Sequence, residues 1–221
     1  MRVLVLRPQP CASETAKGAR KLGLHPVVIP LFEIEPVDWK APDAASFDGL
    51  LLTSANAVRF AGDKLADVRG LPVHAVGATT AEAARNAGFD ISSKGDSGVE
   101  RLLGSIEPGM KLLHLAGEDR KIPADARQEI TAVTVYRSTV RDAPDLRELE
   151  GSVALVHSPR AGRRFAELVG AGRQTVSIAA ISAEAAEAAG TGWAAVETAD
   201  APNDDALLAL AERLCNNMPA T

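Results

Sequence analysis

Aromatic side chains are scarce: five phenylalanines, two tryptophans and one tyrosine make up only 4% of 221 residues. A core must therefore be built from Ala, Val, Leu and Ile, which a hydrophobic share of 46% supplies. Cysteine is limited to Cys11 and Cys215, with no short spacing between them. That excludes a disulfide framework or a cysteine zinc site and fits a reducing cytosol. The four histidines (His25, His74, His114 and His157) are scattered without metal-ligand spacing, so no metal is expected. No apolar run approaches the roughly 20 residues that cross a bilayer, and the Val3–Leu6 run is too short for a signal peptide. The expectation is a cytoplasmic protein away from membranes. Basic charge is not in excess either: 24 Lys and Arg against 29 Asp and Glu leave −5, which argues against a nucleic-acid partner. An anionic small molecule stays possible, because local arginines and backbone amides can outweigh a mildly acidic surface. The fingerprints GxSxG, GxxxxGK[ST] and GxGxxG are absent, so nothing points to a cofactor.

What the chain does contain is a steady alternation of short apolar runs with helical patterns, the mark of βα units and a mainly parallel sheet. Strands are predicted at Arg2–Leu6, Pro26–Ile29, Gly49–Thr53, Val73–Val76, Phe89–Ser92, Lys111–Leu115, Thr131–Tyr136, Ser152–His157, Thr175–Ala179 and Trp193–Thr198. Helices are predicted at Ser13–Leu22, Ala55–Leu65, Thr79–Ala87, Gly98–Ile106, Ala124–Ile130, Pro159–Val169, Ser182–Ala189 and Asn203–Asn216.

The pattern also repeats. LLLTSANAVRF (Leu50–Phe60) and ALVHSPRAGRRF (Ala154–Phe165) are both apolar runs that reach a serine and turn into a helix. HAVGATTAEAARNAG (His74–Gly88) is echoed by SIAAISAEAAEAAG (Ser177–Gly190), and SGVERLL (Ser97–Leu103) by NDDALLAL (Asn203–Leu210). The offset is 104 at Ser54 and Ser158, then 102 at Thr80/Ser182 and at Gly88/Gly190. Together with the half-units at 1–30 and 110–136, this predicts two similar three-layer α/β/α domains with five-stranded parallel sheets, discontinuous in sequence. One domain comprises residues 1–30 and 141–221, the other 40–133. The linkers are 31–39 and 134–140, and the connecting stretches Phe32–Asp38 and Tyr136–Asp142 alternate in polarity and are expected to pair as a two-stranded ladder.

In open parallel sheets, ligands sit where strand ends enter helices, because the first helical amides lack partners and favour an anion. Thr53, Ser54, Thr79, Thr80, Ser158 and Ser182 fall at such junctions, and so do Gly117 and the loop after Leu6. Each hydroxyl taken alone reads as an N-cap. Several junctions of one character, expected to face one cleft, read as an anion-binding surface. Arg7, Arg59, Arg120, Arg137, Arg160, Arg163 and Arg164 lie near them, and each is by default a solvated surface group. Arg7 and Arg120 are the candidate grips, being closest to strand ends. Tyr136 stands at the junction of a strand and the bridge, where a role beyond packing is plausible. Read from residues alone, the chain is a catalyst, a non-catalytic two-domain binder of an anionic metabolite, or a nucleotide-dependent transferase, the last disfavoured by the missing glycine fingerprint.

The ordered set RVLVLRP, LLTSANAV, AVGATTAEAARNAG, LLHLAGEDR, VTVYRS, VHSPRAGRRF and DDALLAL resembles the uroporphyrinogen-III synthase family over nearly the whole chain. The resemblance implies two α/β domains joined by a two-stranded ladder. It also implies cyclisation of the linear tetrapyrrole hydroxymethylbilane to uroporphyrinogen III, with loss of water and inversion of ring D. The lack of a long apolar surface stripe points to a monomer. The resemblance makes Tyr136 the candidate for assisting loss of water, with Thr53, Ser54, Thr79, Thr80, Ser158 and Ser182 as substrate-facing positions. Two features depart from the family pattern: Ala179-Ala180-Ile181 replaces a Gly-rich turn, and the segment from Gly117 to Tyr136 is short and interrupted by Pro123.

Overall fold

The computed structural model describes residues 2–95, 98–120, 123–147 and 149–217. The chain begins with β1 (Arg2–Val5), α1 (Cys11–Lys21), β2 (His25–Val28) and β3 (Phe32–Pro36). It continues through β4 (Gly49–Leu52), α2 (Ala55–Phe60), β5 (Val73–Val76), α3 (Ala78–Asn86), β6 (Ile91–Gly95), α4 (Val99–Ser105), β7 (Lys111–Gly117) and β8 (Glu129–Val140). Last come β9 (Ser152–Val156), α5 (Pro159–Val169), β10 (Val176–Ala180), α6 (Ala183–Ala189), β11 (Ala195–Thr198) and α7 (Asp204–Asn217). The chain divides into two compact units, the first Met1–Glu33 with Val140–Thr221 and the second Ile34–Thr139.

The first unit carries a five-stranded sheet in the order β11-β10-β9-β1-β2, with every pairing parallel. Its central strands β1, β9 and β10 are buried on both faces, and the two-residue period sorts their side chains. Val3, Val5, Val153 and Leu155 pack with Ala12 and Ala19 of α1 and with Leu207, Leu210 and Leu214 of α7. Leu4, Ala154 and Ile178 point the other way, onto Phe165 of α5 and Ala185 of α6. Leu4 and Leu155 are fully buried, and each contributes on the order of 2 kcal/mol. In this unit Trp193 stacks on Phe165 of α5 (5.3 Å between centroids) and donates its indole N–H to Ala189 O.

The second unit has the order β3-β8-β7-β4-β5-β6. Leu50, Leu52, Val73, Leu113 and Leu115 cover one face with α2 and α3, while Leu51 and Leu112 meet Leu102, Leu103 and Ile106 of α4 on the other. This sheet has six strands where five were expected, because the ladder strand β3 joins it along the free edge of the twelve-residue β8. Val37 N donates to Val135 O and Arg141 N to Leu31 O, so β3 and β8 run in opposite directions.

Several predicted elements are corrected. No helix forms over Ala124–Ile130: residues 123–128 turn, and Gln128 donates its side-chain amide to the carbonyls of Leu103, Ile106 and Glu107, closing the end of α4. β8 then starts at Glu129, opposite Lys111. The helix predicted to reach Leu65 ends at Phe60, because Gly62 takes a left-handed φ of 68° and 3-10 turns follow over Gly62–Val68. The strand placed at Phe89 begins at Ile91, since Phe89 closes α3 through its amide on Ala84 O. Ser97 of the repeat lies outside the described residues.

Candidate active site

The strands β4, β9 and β10 each deliver a serine in extended backbone to the start of a helix: Ser54 to α2, Ser158 to α5 and Ser182 to α6. Their Oγ atoms accept from the amides of Asn56 (3.2 Å), Ala161 (3.2 Å) and Ala185 (3.3 Å). The hydroxyls are therefore N-caps, and Pro159 at the start of α5 lacks an N–H that would need a partner. A cap satisfies one of the early amides and leaves others facing the strand-end surface.

The repeat breaks at α3. Counted by the 102-residue offset, Ser182 corresponds to Thr80, yet α3 begins at Ala78, three residues ahead of the counterpart of Ala183. Gly77 makes this possible, its φ of 83° turning the chain straight from β5 into the helix. Ala179 and Ala180 at the corresponding place stay in β10. As a result Thr80 is 5% exposed inside the first turn, Thr79 is exposed beside it, and α3 has no side-chain cap. The N-terminus of α3 thus presents its first amides without a side-chain cap, with the exposed Thr79 hydroxyl beside them.

Tyr136 of β8 lies opposite Gly117, the last residue of β7. A Cβ at Gly117 would stand 2.7 Å from Tyr136 Cζ and 3.0 Å from its hydroxyl. The ring is seated on bare backbone, with the Phe60 ring 6.4 Å away at 41°. It is half-buried, and its hydroxyl has no hydrogen-bond partner among the described residues. Arg120 reaches back to donate to Gly117 O (3.2 Å) and Thr134 Oγ1 (2.9 Å). Gly117, Arg120 and Tyr136 are thereby assembled at one strand end. Thr53 is tied to the same strand β7 through His114, whose Nε2 lies 3.0 Å from Thr53 Oγ1. Burial, aided by the Arg120 charge, pushes the His114 imidazole down to about 4, so it is neutral at neutral pH.

Arg7 in the first unit is not the free grip the sequence suggested. Its Nη1 donates to Asp204 Oδ1 (3.1 Å) and Thr15 Oγ1 (3.3 Å). Asp204 also accepts from Thr15 Oγ1 (2.7 Å) and from His157 Nε2 (2.7 Å). Burial pulls the Asp204 carboxyl upward, but the hydrogen bonds from His157 and Thr15 and the charges of His157 and Arg7 outweigh it. The carboxylate stays ionised and offsets the Arg7 charge. Of the other arginines, Arg137 pairs with Glu35 and Arg160 lies over the Phe32 ring. Sequence reasoning missed His114 and Asp204 as partners. A histidine inside Leu-Leu-His-Leu could have signalled a bonded polar group in a strand core, whereas nothing local links Arg7 to a residue 197 positions away.

A family model described as uroporphyrinogen-III synthase HemD matches residues 13–209. The uroporphyrinogen-III synthase of Chlorobaculum parvum is 28% identical over 207 residues, covering 81% of this chain and 84% of that one. Among solved structures, the uroporphyrinogen-III synthetase of Helicobacter pylori 26695 superposes with a TM-score of 0.67 at 18% identity, covering 96% of this chain and 98% of that chain. A mutant uroporphyrinogen III synthase of Thermus thermophilus gives 0.54 at 20% identity, covering 99% and 100%. At these identities the two structures establish a shared fold.

Proposed function

The chain belongs to the uroporphyrinogen-III synthase family, a family of cyclising lyases of tetrapyrrole and haem biosynthesis, and from that premise we propose how its residues divide the reaction. The substrate is hydroxymethylbilane, a linear tetrapyrrole whose rings carry acetate and propionate groups. The candidate grips for carboxylates are, within the first unit, the helix starts at Ser158 and Ser182 and, within the second, Thr53, Ser54, Thr79 and Thr80. Arg120, beside Gly117, adds a positive charge. Arg7 acts with Asp204 as a fixed pair rather than as a lone cation.

Tyr136 is the catalytic residue of this reading. The pyrrole nitrogen pushes electrons toward the hydroxymethyl carbon, the C–O bond breaks, and the Tyr136 hydroxyl gives its proton to the departing oxygen, which leaves as water. Attack of the substituted carbon of ring D on the resulting azafulvene gives a spiro intermediate that rearranges to the type III ring. The proton released on aromatisation restores the tyrosine. Little acid strength is needed, because an electron-rich pyrrole expels hydroxide readily. Orientation supplies most of the acceleration, with the acid adding about 10²-fold. The observation that carries this reading is the phenol seated on Gly117 with no protein partner for its hydroxyl among the described residues. Tyr136→Phe is expected to lower kcat about 100-fold while the melting temperature stays within a few degrees. Unchanged kcat in that variant would remove the tyrosine from the mechanism. The reading extends to a monomer working in the cytoplasm without a nucleic-acid partner; the free Cys11 and Cys215 support the compartment, and the net charge of −5 supports the lack of a nucleic-acid partner.

A further inference from the structure

His114 is fully buried in the middle of β7, among leucines, in a strand that needs no polar side chain to hold its place. Its Nε2 lies 3.0 Å from Thr53 Oγ1, and its Nδ1 is buried without a partner among the described residues. A neutral imidazole carries one proton, which leaves two arrangements. With the proton on Nδ1, a buried N–H donor is orphaned; with the proton on Nε2, only a lone pair is left unmet. Orphaned buried donors are the rarer and costlier case, so the proton belongs on Nε2. The imidazole then donates to Thr53 Oγ1, and the threonine's own proton must point elsewhere. That proton has no acceptor among the described residues, and Thr53 is only half-buried.

We infer that His114 is a positioning residue: it occupies the Thr53 oxygen as a donor and so turns the Thr53 O–H outward, as a donor to a carboxylate of the substrate. This deepens the proposed function and rests on its assignment of Thr53 as a substrate grip. The repeat sharpens the point. The first-unit counterpart of Thr53 is His157, whose side chain is 8% exposed and committed to Asp204, so that position offers no hydroxyl. The donor before the helix serine is a property of the second unit alone.

Steady-state kinetics on hydroxymethylbilane generated in situ test this, using Thr53→Val, His114→Leu, His114→Gln and the double variant Thr53→Val/His114→Leu, with melting temperatures measured alongside. Loss of one hydrogen bond to a carboxylate is expected to raise KM about tenfold in Thr53→Val and in His114→Leu, with kcat nearly unchanged. The double variant should be no worse than either single one, because both remove the same contact. His114→Gln, whose amide can still donate to Thr53, should return KM close to the parent value. A KM that stays at the parent value in His114→Leu while Thr53→Val raises it overturns the inference and leaves Thr53 as a grip. A parent-like KM in Thr53→Val sinks the grip assignment itself, and the inference with it. Should His114→Leu not fold, His114→Asn takes its place with the same expected rise, since its amide is too short to reach Thr53.

Discussion

An alanine at position 117 would bring its Cβ to 2.7 Å from Tyr136 Cζ and 2.8 Å from Cε2, well inside the separation at which carbon atoms pack. Gly117 takes no left-handed φ, so the requirement for glycine comes from the ring above it rather than from the backbone. Gly117→Ala should therefore displace the phenol while β7 and β8 keep their pairing. The expected outcome is a fall in kcat of at least about tenfold with a loss of about 1–3 kcal/mol in stability, read from turnover and chemical denaturation. Parent-like turnover with the same loss of stability would mean that the ring's seat does not matter. The same scale explains what a sequence conceals. Gly117 and Tyr136 could each be picked out as strand-end residues, but their contact depends on the register of β7 against β8, which shifts by one at Ala116/Gly117. Thr53 with His114, and Arg7 with Asp204, are likewise long-range pairs that no local pattern encodes.

Among elements, α5 and α6 pack backbone to backbone. A Cβ on Gly162 would lie 2.9 Å from both Ala185 O and Ala189 N. Alanine is the better helix former by about 0.5–1 kcal/mol, so propensity and packing make opposite predictions for Gly162→Ala. Packing should win, because the obstructing atoms are helix backbone and cannot rotate away. The variant is expected to be destabilised by about 1–3 kcal/mol in denaturant titration; a gain in stability would show that α6 can retreat. Element identity was legible wherever the apolar period was clear, as in α5, where prediction and structure both give Pro159–Val169. It was not legible at Ala124–Ile130, where a buried Gln128 has to serve three carbonyls of a neighbouring helix end. Nor could the repeat foretell that Gly77 would start α3 ahead of its counterpart, because the serine-for-threonine match at 182 and 80 conceals a cap on one side and a buried side chain on the other.

For the whole molecule, the duplicated order of strands and helices carried the fold: two mainly parallel sheets flanked by helices, interrupted and resumed by one pair of linker strands. The sixth strand was the missing piece, because a ladder and a sheet edge look alike in a sequence of alternating polarity. On the proposed reading, catalysis on this scaffold rests on holding a flexible polyanion in one conformation. The direct test is isomer analysis: hydroxymethylbilane is generated in situ with the protein present, the products are oxidised, and the uroporphyrin isomers are separated by chromatography. A type III excess over the protein-free control is the predicted result. Type I alone, from protein verified as folded, would contradict the account and leave a two-domain binder without turnover.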